Sequence, residues 1–197
     1  MISKISSKYK TILITGGAGF IGGNLINELL SNSDSKIINV DKLGYASDLI
    51  KIEKFKKELG PNFKKRYQLI KLDLKNKYVL DPIFNNFKPD IIFNLAAESH
   101  VDKSITNPSN FIESNILGTF NLLESIRKYL INFPEKSNIF KLIHISTDEV
   151  FGSLGKKGYF NEQCKYEPNS PYSASKASSD HLVRSWHKTF NIPAIIT

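Results

Sequence analysis

The sequence predicts an α/β fold, a doubly wound parallel sheet with helices on both faces. Three observations predict it. Short apolar runs of strand length alternate with amphipathic stretches of helix length along the whole chain. The first apolar run leads straight into a glycine cluster that opens the first helical stretch. No internal repeat or low-complexity tract interrupts the series, and strand, helix, strand order calls for crossover connections and so for parallel pairing.

Taken in order, Thr11 to Thr15 (TILIT) is the first strand. Phe20 to Leu30 follows as a helix with Ile21, Leu25, Ile26, Leu29 and Leu30 on its apolar side. Lys36 to Val40 (KIINV) and Tyr67 to Leu72 are the second and third strands. Asp90 to Leu95 (DIIFNL), Lys141 to Ile145 (KLIHI) and Pro193 to Thr197 (PAIIT) complete the sheet. Long helices occupy Ser109 to Tyr129 and Tyr172 to Phe190. The last strand opens and the sequence stops without a turn, which would leave a bare sheet edge. The expectation is a C-terminally truncated sheet, one domain over residues 1–197, with a further C-terminal domain absent from the chain.

Composition narrows the function classes. With 197 residues, 41% hydrophobic and 23% charged, the chain can bury one sizeable core. No apolar run approaches the length of a membrane span. The N-terminus (MISKISSKYK) is basic but has no apolar core before a cleavage site, so it does not read as a signal peptide. The single cysteine, Cys164, excludes an internal disulfide and suggests the cytoplasm. A net charge of +8 invites a nucleic-acid reading. Against it, 24 lysines and only 3 arginines are scattered through the chain. The densest cluster (Lys51, Lys54, Lys56, Lys57, Lys64) alternates with Ile52, Phe55 and Leu59 as a solvated helix face would. No histidine spacing suggests a metal, so none is expected.

The glycine cluster, TGGAGFIGG, holds Gly17-x-Gly19-x-x-Gly22 and, overlapping it, Gly16-x-x-Gly19-x-x-Gly22. Glycines at this junction let the backbone turn tightly and approach a pyrophosphate, which sits on the positive end of the helix. An acid, Asp41, follows nineteen residues after Gly22 at the end of the second strand. A carboxylate there can accept hydrogen bonds from the adenosine ribose and repels a 2′-phosphate, favouring NAD over NADP, although the neighbouring Lys42 does not exclude NADP. The structural alternative is a glycine turn with a surface acid. Together these features define a Rossmann-type dinucleotide site.

Tyr172 and Lys176 in PYSASK are one helical turn apart and share a face. A lysine ammonium nearby, together with a nicotinium ring, would favour the phenolate and lower the tyrosine pKa, so that it can take a hydroxyl proton. Tyr-x-x-x-Lys is also a cheap coincidence on any helix. In HISTDEVFG the fifth strand ends in Ser146, Thr147, Asp148 and Glu149, two adjacent carboxylates that are either used chemically or belong to an ordinary acidic turn. Strand alternation would point Asp148 away from Thr147 and Glu149, but Gly152 follows closely and the backbone is expected to leave the strand there.

The T-G-G-x-G-F-I-G start, the strand ending in a hydroxyl residue and Tyr-x-x-x-Lys resemble the extended short-chain dehydrogenase/reductase family. VDKLGYASDL, NLAAESHVDKSI, HISTDEVFG and SPYSASKASSDHLVR resemble its nucleotide-sugar 4,6-dehydratase branch almost segment for segment. The resemblance implies NAD as cofactor and dTDP-glucose as substrate. It implies oxidation at C4, loss of water across C5 and C6, and return of the hydride to C6, giving a 4-keto-6-deoxy sugar for deoxysugar synthesis. On this resemblance Tyr172 and Lys176 are catalytic and touch the cofactor, with Tyr172 also on the sugar. Thr147 would bond the C4 oxygen, Asp148 would be the acid at the C6 hydroxyl and Glu149 the base at C5. Gly16, Gly19, Phe20, Ile21 and Gly22 would hold the pyrophosphate, and Asp41, Lys42 and Leu43 the adenosine ribose. Asp73 and Leu74 would flank the adenine; Leu95, Ala96, Ala97, Ser99 and Asn115 would line the cleft, with Ser99 also near the sugar.

Glu98, His100 and Asp102 would lie close to the sugar, although His100 reads equally as a structural histidine. His144, His181 and His187 read as structural or exposed. Gly44 replaces the usual Thr, and Ser47-Asp48 the usual Gly-Asn, so the adenosine contacts are expected to be rearranged. Phe151 replaces a Tyr and Gly23 a common Ser. The two long helices resemble a homodimer interface, though their apolar faces (Phe111, Ile112, Leu122, Leu123, Ile126; Leu182, Val183, Trp186, Phe190) equally fit packing on the sheet. Two alternatives remain open, a UDP-sugar dehydratase or 4-epimerase and an NAD-binding but inactive fragment. The acidic pair Asp148-Glu149 argues against the epimerase.

Overall fold

The computed structural model describes residues 8–197; the start of the N-terminal segment read as lacking a leader lies outside the described residues. Six strands form one parallel sheet: β1 (Thr11–Thr15), β2 (Lys36–Asp41), β3 (Tyr67–Lys71), β4 (Ile91–Asn94), β5 (Lys141–His144) and β6 (Ala194–Ile196). Their spatial order is β3-β2-β1-β4-β5-β6. The chain winds outward from β1 in one direction and then from β4 in the other, so the switch point lies between β1 and β4.

The helices in chain order are α1 (Phe20–Asn32), α2 (Ile50–Leu59), α3 (Phe63–Arg66), α4 (Asp81–Phe87), α5 (Val101–Thr106), α6 (Pro108–Phe111), α7 (Gly118–Asn132) and α8 (Pro171–Phe190). Strand alternation sends Ile12 and Ile14 to one core with Ile26, Leu29 and Leu30 of α1. It sends Leu13 to the other, with Leu122, Leu123 and Ile126 of α7 and Val183 of α8. Both faces of the sheet are covered, which is why its strands read as continuous apolar runs.

Three expectations are corrected. The helix read as continuous over Ser109 to Tyr129 contains a π-helical turn, Ile112–Leu117, between α6 and α7. Such a turn inserts a residue into the helix and re-aims its neighbours; here Ser114 joins the wall of the central cleft while the adjacent Asn115 is buried. Strand β2 runs on to Asp41, whose backbone pairs with Lys71, so the acid belongs to the sheet itself. Helix α8 begins one residue early because Ser170 and Ser173 cap each other reciprocally and Pro171 takes the first turn. Of the apolar faces open to two readings, Phe111, Leu122, Leu123, Ile126 and Val183 are buried within the chain's own cores, whereas Ile112 and Phe190 are exposed.

Candidate active site

A cleft of about 410 Å³ opens at the carboxyl ends of β1, β2 and β4. Gly16 turns the chain out of β1 with φ of +72°, and a Cβ there would stand 2.6 Å from the Ala96 backbone nitrogen. A Cβ on Gly22 would stand 2.4 Å from the Gly16 carbonyl, so both positions demand glycine for a close backbone approach. Gly19, Phe20 and Ile21 complete this wall at the N-terminus of α1, with Phe20 and Ile21 strongly exposed. Asp73 and Leu74 close one end, and Leu95, Ala96, Ala97 and Ser99 line the side formed by β4. This cradle fits a dinucleotide pyrophosphate at a helix N-terminus.

Asp41 lines the cleft but is already engaged. Its Oδ2 accepts the Ala18 N–H at 2.9 Å, and its Oδ1 accepts the Leu43 N–H at 2.8 Å and the Ser47 hydroxyl at 3.2 Å. A carboxylate offers about four lone-pair sites, so Oδ2 keeps capacity for a ribose hydroxyl. Ser47, one of the departures from the family pattern, thus fastens the loop to the acid. Lys42 forms an ion pair with Glu98 across the cleft, which engages the charge that left NADP open.

Two residues expected in the cleft are outside its lining. Leu43 has φ of 58° and contributes its backbone N–H to Asp41. Asn115, 1% exposed, sits one layer behind. Its Oδ1 accepts the Glu98 N–H at 2.8 Å, and its Nδ2 donates to the Glu98 carbonyl at 2.9 Å and to Ser175 Oγ at 2.8 Å. It pins the β4 loop to α8 between Tyr172 and Lys176.

Tyr172 and Lys176 line the far wall with Ile145 and Ser146. Strand β5 ends at His144, and Asp148–Phe151 form a 3-10 turn, so alternation does lapse. Thr147 caps this turn by accepting the Glu149 N–H at 3.3 Å. The turn packs on α8 at the Tyr172 end, outside the nucleotide cleft; Asp148 is exposed and Glu149 half-buried. The chain's own groups act against the phenolate. Burial raises the Tyr172 pKa, as do the charges of Glu149, Asp148 and Asp180, and Thr147 alone opposes them by a hydrogen bond. The Lys176 Nζ donates to the Ile145 carbonyl. Burial pushes the lysine itself down to about 8.

Beneath the wall runs a polar ladder that sequence patterns did not expose. The Thr15 hydroxyl donates to Asn94 Oδ1 at 2.6 Å, and Asn94 Nδ2 donates to His144 Nδ1 at 2.9 Å. The other ring nitrogen lies 3.3 Å from Ser179 Oγ, whose hydroxyl donates to the Lys176 carbonyl at 2.8 Å. Three strand ends and α8 are thereby tied together, and His144 is structural as expected. The burial of Thr15, Asn94 and His144 at equivalent strand ends was the available signal. The cleft also takes in Tyr45, Ala46, Ser114 and Ser146, which the sequence reading did not assign to it. His100 is exposed and outside the cleft lining. His187 Nδ1 lies 2.8 Å from the Ile192 carbonyl. Phe151 stacks among Phe160 and Tyr166. Among the described residues no cluster of three metal-ligating side chains occurs, and no helix is long and apolar enough to cross a membrane.

A parallel sheet wound outward from a glycine-loop cleft, with a Tyr-Lys pair on the opposite wall, defines a Rossmann-type nucleotide-binding domain of the short-chain dehydrogenase kind. The chain belongs to the GDP-mannose 4,6 dehydratase family, whose model matches residues 13–197. It is 47% identical over 190 residues to the dTDP-glucose 4,6-dehydratase of Neisseria meningitidis serogroup B, covering 95% of this chain and 52% of that protein. Among solved structures it is similar to a dTDP-glucose 4,6-dehydratase from Streptomyces venezuelae with NAD and TYD bound, with a TM-score of 0.81, 34% identity and coverage of 94% and 54%. The Bacillus anthracis dTDP-glucose 4,6-dehydratase in complex with NAD gives a TM-score of 0.76 at 38% identity, covering 94% and 53%. The chain therefore spans about half the length of the curated relatives it matches.

Proposed function

We propose that the chain is the cofactor-binding, catalytic half of an NAD-dependent dTDP-glucose 4,6-dehydratase. The observation that carries the reading is one wall where Tyr172 and Lys176 of α8 meet the Thr147-Asp148-Glu149 turn beside a dinucleotide cradle. The relatives' names and the NAD in similar structures support it. The hydride chemistry, uptake from C4 and return to C6, would be supplied by bound NAD. Gly16, Gly19 and Gly22 would let the backbone approach its pyrophosphate, Asp41 would accept from its ribose, and Lys176 would hold the nicotinamide end. Tyr172 takes the proton of the C4 hydroxyl while Thr147 orients that oxygen. Glu149 removes the C5 proton, Asp148 protonates the departing C6 hydroxyl so that it leaves as water, and Glu149 gives a proton back to C5 as the hydride returns to C6. Because burial and three carboxylates raise the tyrosine's pKa, a positively charged nicotinium ring bound beside the Tyr172-Lys176 pair would favour the phenolate.

In this reading residues 1–197 form the nucleotide-binding domain and a further C-terminal domain completes the sugar-nucleotide site. The protein works in the cytoplasm as a homodimer, for which the exposed Ile112 and Phe190 on the two long helical segments give some surface; a monomeric mass by light scattering would count against that. The test is incubation of the chain with dTDP-glucose and NAD, following the 4-keto-6-deoxy product by its absorbance in alkali, beside a fluorescence titration with NADH. Product that disappears in Tyr172→Phe supports the full reading. NADH binding without product supports the cofactor half only. Conversion of a UDP-sugar at C4 without loss of water would replace the dehydratase by an epimerase.

A further inference from the structure

We propose that Asp180 is a positioning residue for this site: a buried carboxylate one turn beyond Lys176 that seats the Ser146 hydroxyl in the cleft wall and sets a fixed negative charge beside the Lys176 ammonium. The inference rests on the proposed placing of Lys176 against the cofactor.

Tyr172, Lys176 and Asp180 follow one another at four-residue spacing along α8 and so share a face. The first two line the cleft; Asp180 is 1% exposed and does not. Its Oδ2 accepts the Ser146 hydroxyl and, at 3.0 Å, the hydroxyl of Tyr166. Its Oδ1 is buried without a hydrogen bond. His144 Nε2 lies 3.2 Å from that oxygen; burial favours the neutral ring, and because its Nδ1 accepts from Asn94 the ring carries its proton on Nε2, the nitrogen that faces the carboxylate. Desolvation pushes the Asp180 carboxyl up, yet His144, Ser146 and Tyr166 outweigh it and hold the group below the usual carboxylate range.

An amide at this position would accept the same two hydroxyls at a lower desolvation cost. What the carboxylate adds is charge, and the group within its reach is the lysine. Lys176 is buried, and its Nζ donates to the carbonyl of Ile145, next to Ser146. The elements packed on α8 carry other charged and titratable groups: Asp148 and Glu149 on the 3-10 turn, His144 on β5, Glu113 on the π turn, Asp102 and Lys103 on α5, Glu124, Arg127 and Lys128 on α7. His181, Arg184, His187 and Lys188 continue α8 itself. Among the described residues Asp180 is the one whose charge favours the ammonium against burial. One carboxylate thus sets both a hydroxyl at the cleft wall and the protonation of the cation beside it.

The test reads the lysine directly. The chain is labelled with ¹³C-lysine, the Lys176 signal is assigned by its absence in Lys176→Arg, and its titration midpoint is followed in wild type and Asp180→Asn. The expected midpoint is about 8 in the wild type and about one unit lower in Asp180→Asn, with NADH affinity at pH 7.5 falling about threefold, the loss of protonated lysine that a one-unit shift implies. Tyr166→Phe, which removes a donor on the side away from the cleft, leaves the midpoint where it was. An unchanged midpoint in Asp180→Asn, or an equal shift in Tyr166→Phe, overturns the proposal. If Asp180→Asn does not fold, Asp180→Ser replaces it; failure of both makes the carboxylate a structural support and overturns it as well. A wild type that binds no NADH while its lysine midpoint still moves with Asp180 would sink the proposed function and leave this coupling standing.

Discussion

The Asp41 carboxylate accepts the backbone N–H of Ala18 at 2.9 Å. The acid at the end of β2 and the glycine loop after β1 are therefore one unit, built before any ligand arrives. Asp41→Ala removes the acceptor for Ala18, Leu43 and Ser47 together. Each orphaned buried donor costs about 1–3 kcal/mol. We expect a loss of about 2 kcal/mol or more in urea denaturation and at least a tenfold weaker NADH titration, with Asp41→Asn intermediate. Unaltered stability in Asp41→Ala would show that the loop holds itself.

Gly22 and Gly23 are adjacent in α1 yet should respond oppositely to alanine. The added Cβ at Gly22 would stand 2.4 Å from the Gly16 carbonyl, whereas at Gly23 the nearest atom is 3.7 Å away. Alanine is better than glycine in a helix by roughly 1 kcal/mol. Gly23→Ala should therefore raise the melting temperature and leave NADH binding intact. Gly22→Ala should displace the loop and weaken binding at least tenfold; equal behaviour of the two variants would contradict this geometry.

Asn115 gives a third comparison. Its side chain is the partner of both the N–H and the carbonyl of Glu98 and of Ser175. Asn115→Ala leaves the N–H and the carbonyl of Glu98 without this partner, while Ser175 still donates to the Tyr172 carbonyl, and a loss of about 2–4 kcal/mol is expected. Because Glu98 lines the cleft, NADH affinity should fall although Asn115 is outside its lining. Asn115→Asp keeps the acceptor for the Glu98 N–H and should keep part of the stability.

Stability should also pass through a maximum in alkali. Lys176 has its pKa lowered to about 8 in the folded chain, below the value of 10.5 for a free lysine. Between those values the unfolded chain holds the proton that the folded chain has released, so stability rises with pH, by on the order of 3 kcal/mol in all. Tyr67 and Tyr166 are pushed up to about 12, chiefly by burial, so above pH 10 the unfolded chain loses protons first and stability falls. Urea unfolding at intervals from pH 7.5 to 11 should show the rise, and Lys176→Met should remove it while sparing the fall.

The sequence by itself determined the parallel sheet, because apolar runs such as TILIT and KIINV are too short for anything but buried strands. It determined the cradle too, since only glycine tolerates the φ of Gly16 and the approach at Gly22. It also placed Tyr172 and Lys176 on one face, a matter of helical period alone. What it left open depends on contacts between residues far apart in the chain. The spacing of Tyr172 and Lys176 says nothing of Ile145, whose carbonyl takes the lysine Nζ, nor of the carboxylates from the next turn that raise the tyrosine's pKa. The ladder from Thr15 through Asn94 and His144 to Ser179 joins positions up to 79 residues apart at a single step. Protonation and hydrogen bonding at the site are set by burial and by through-space neighbours, and those exist only once the sheet has brought its strand ends together.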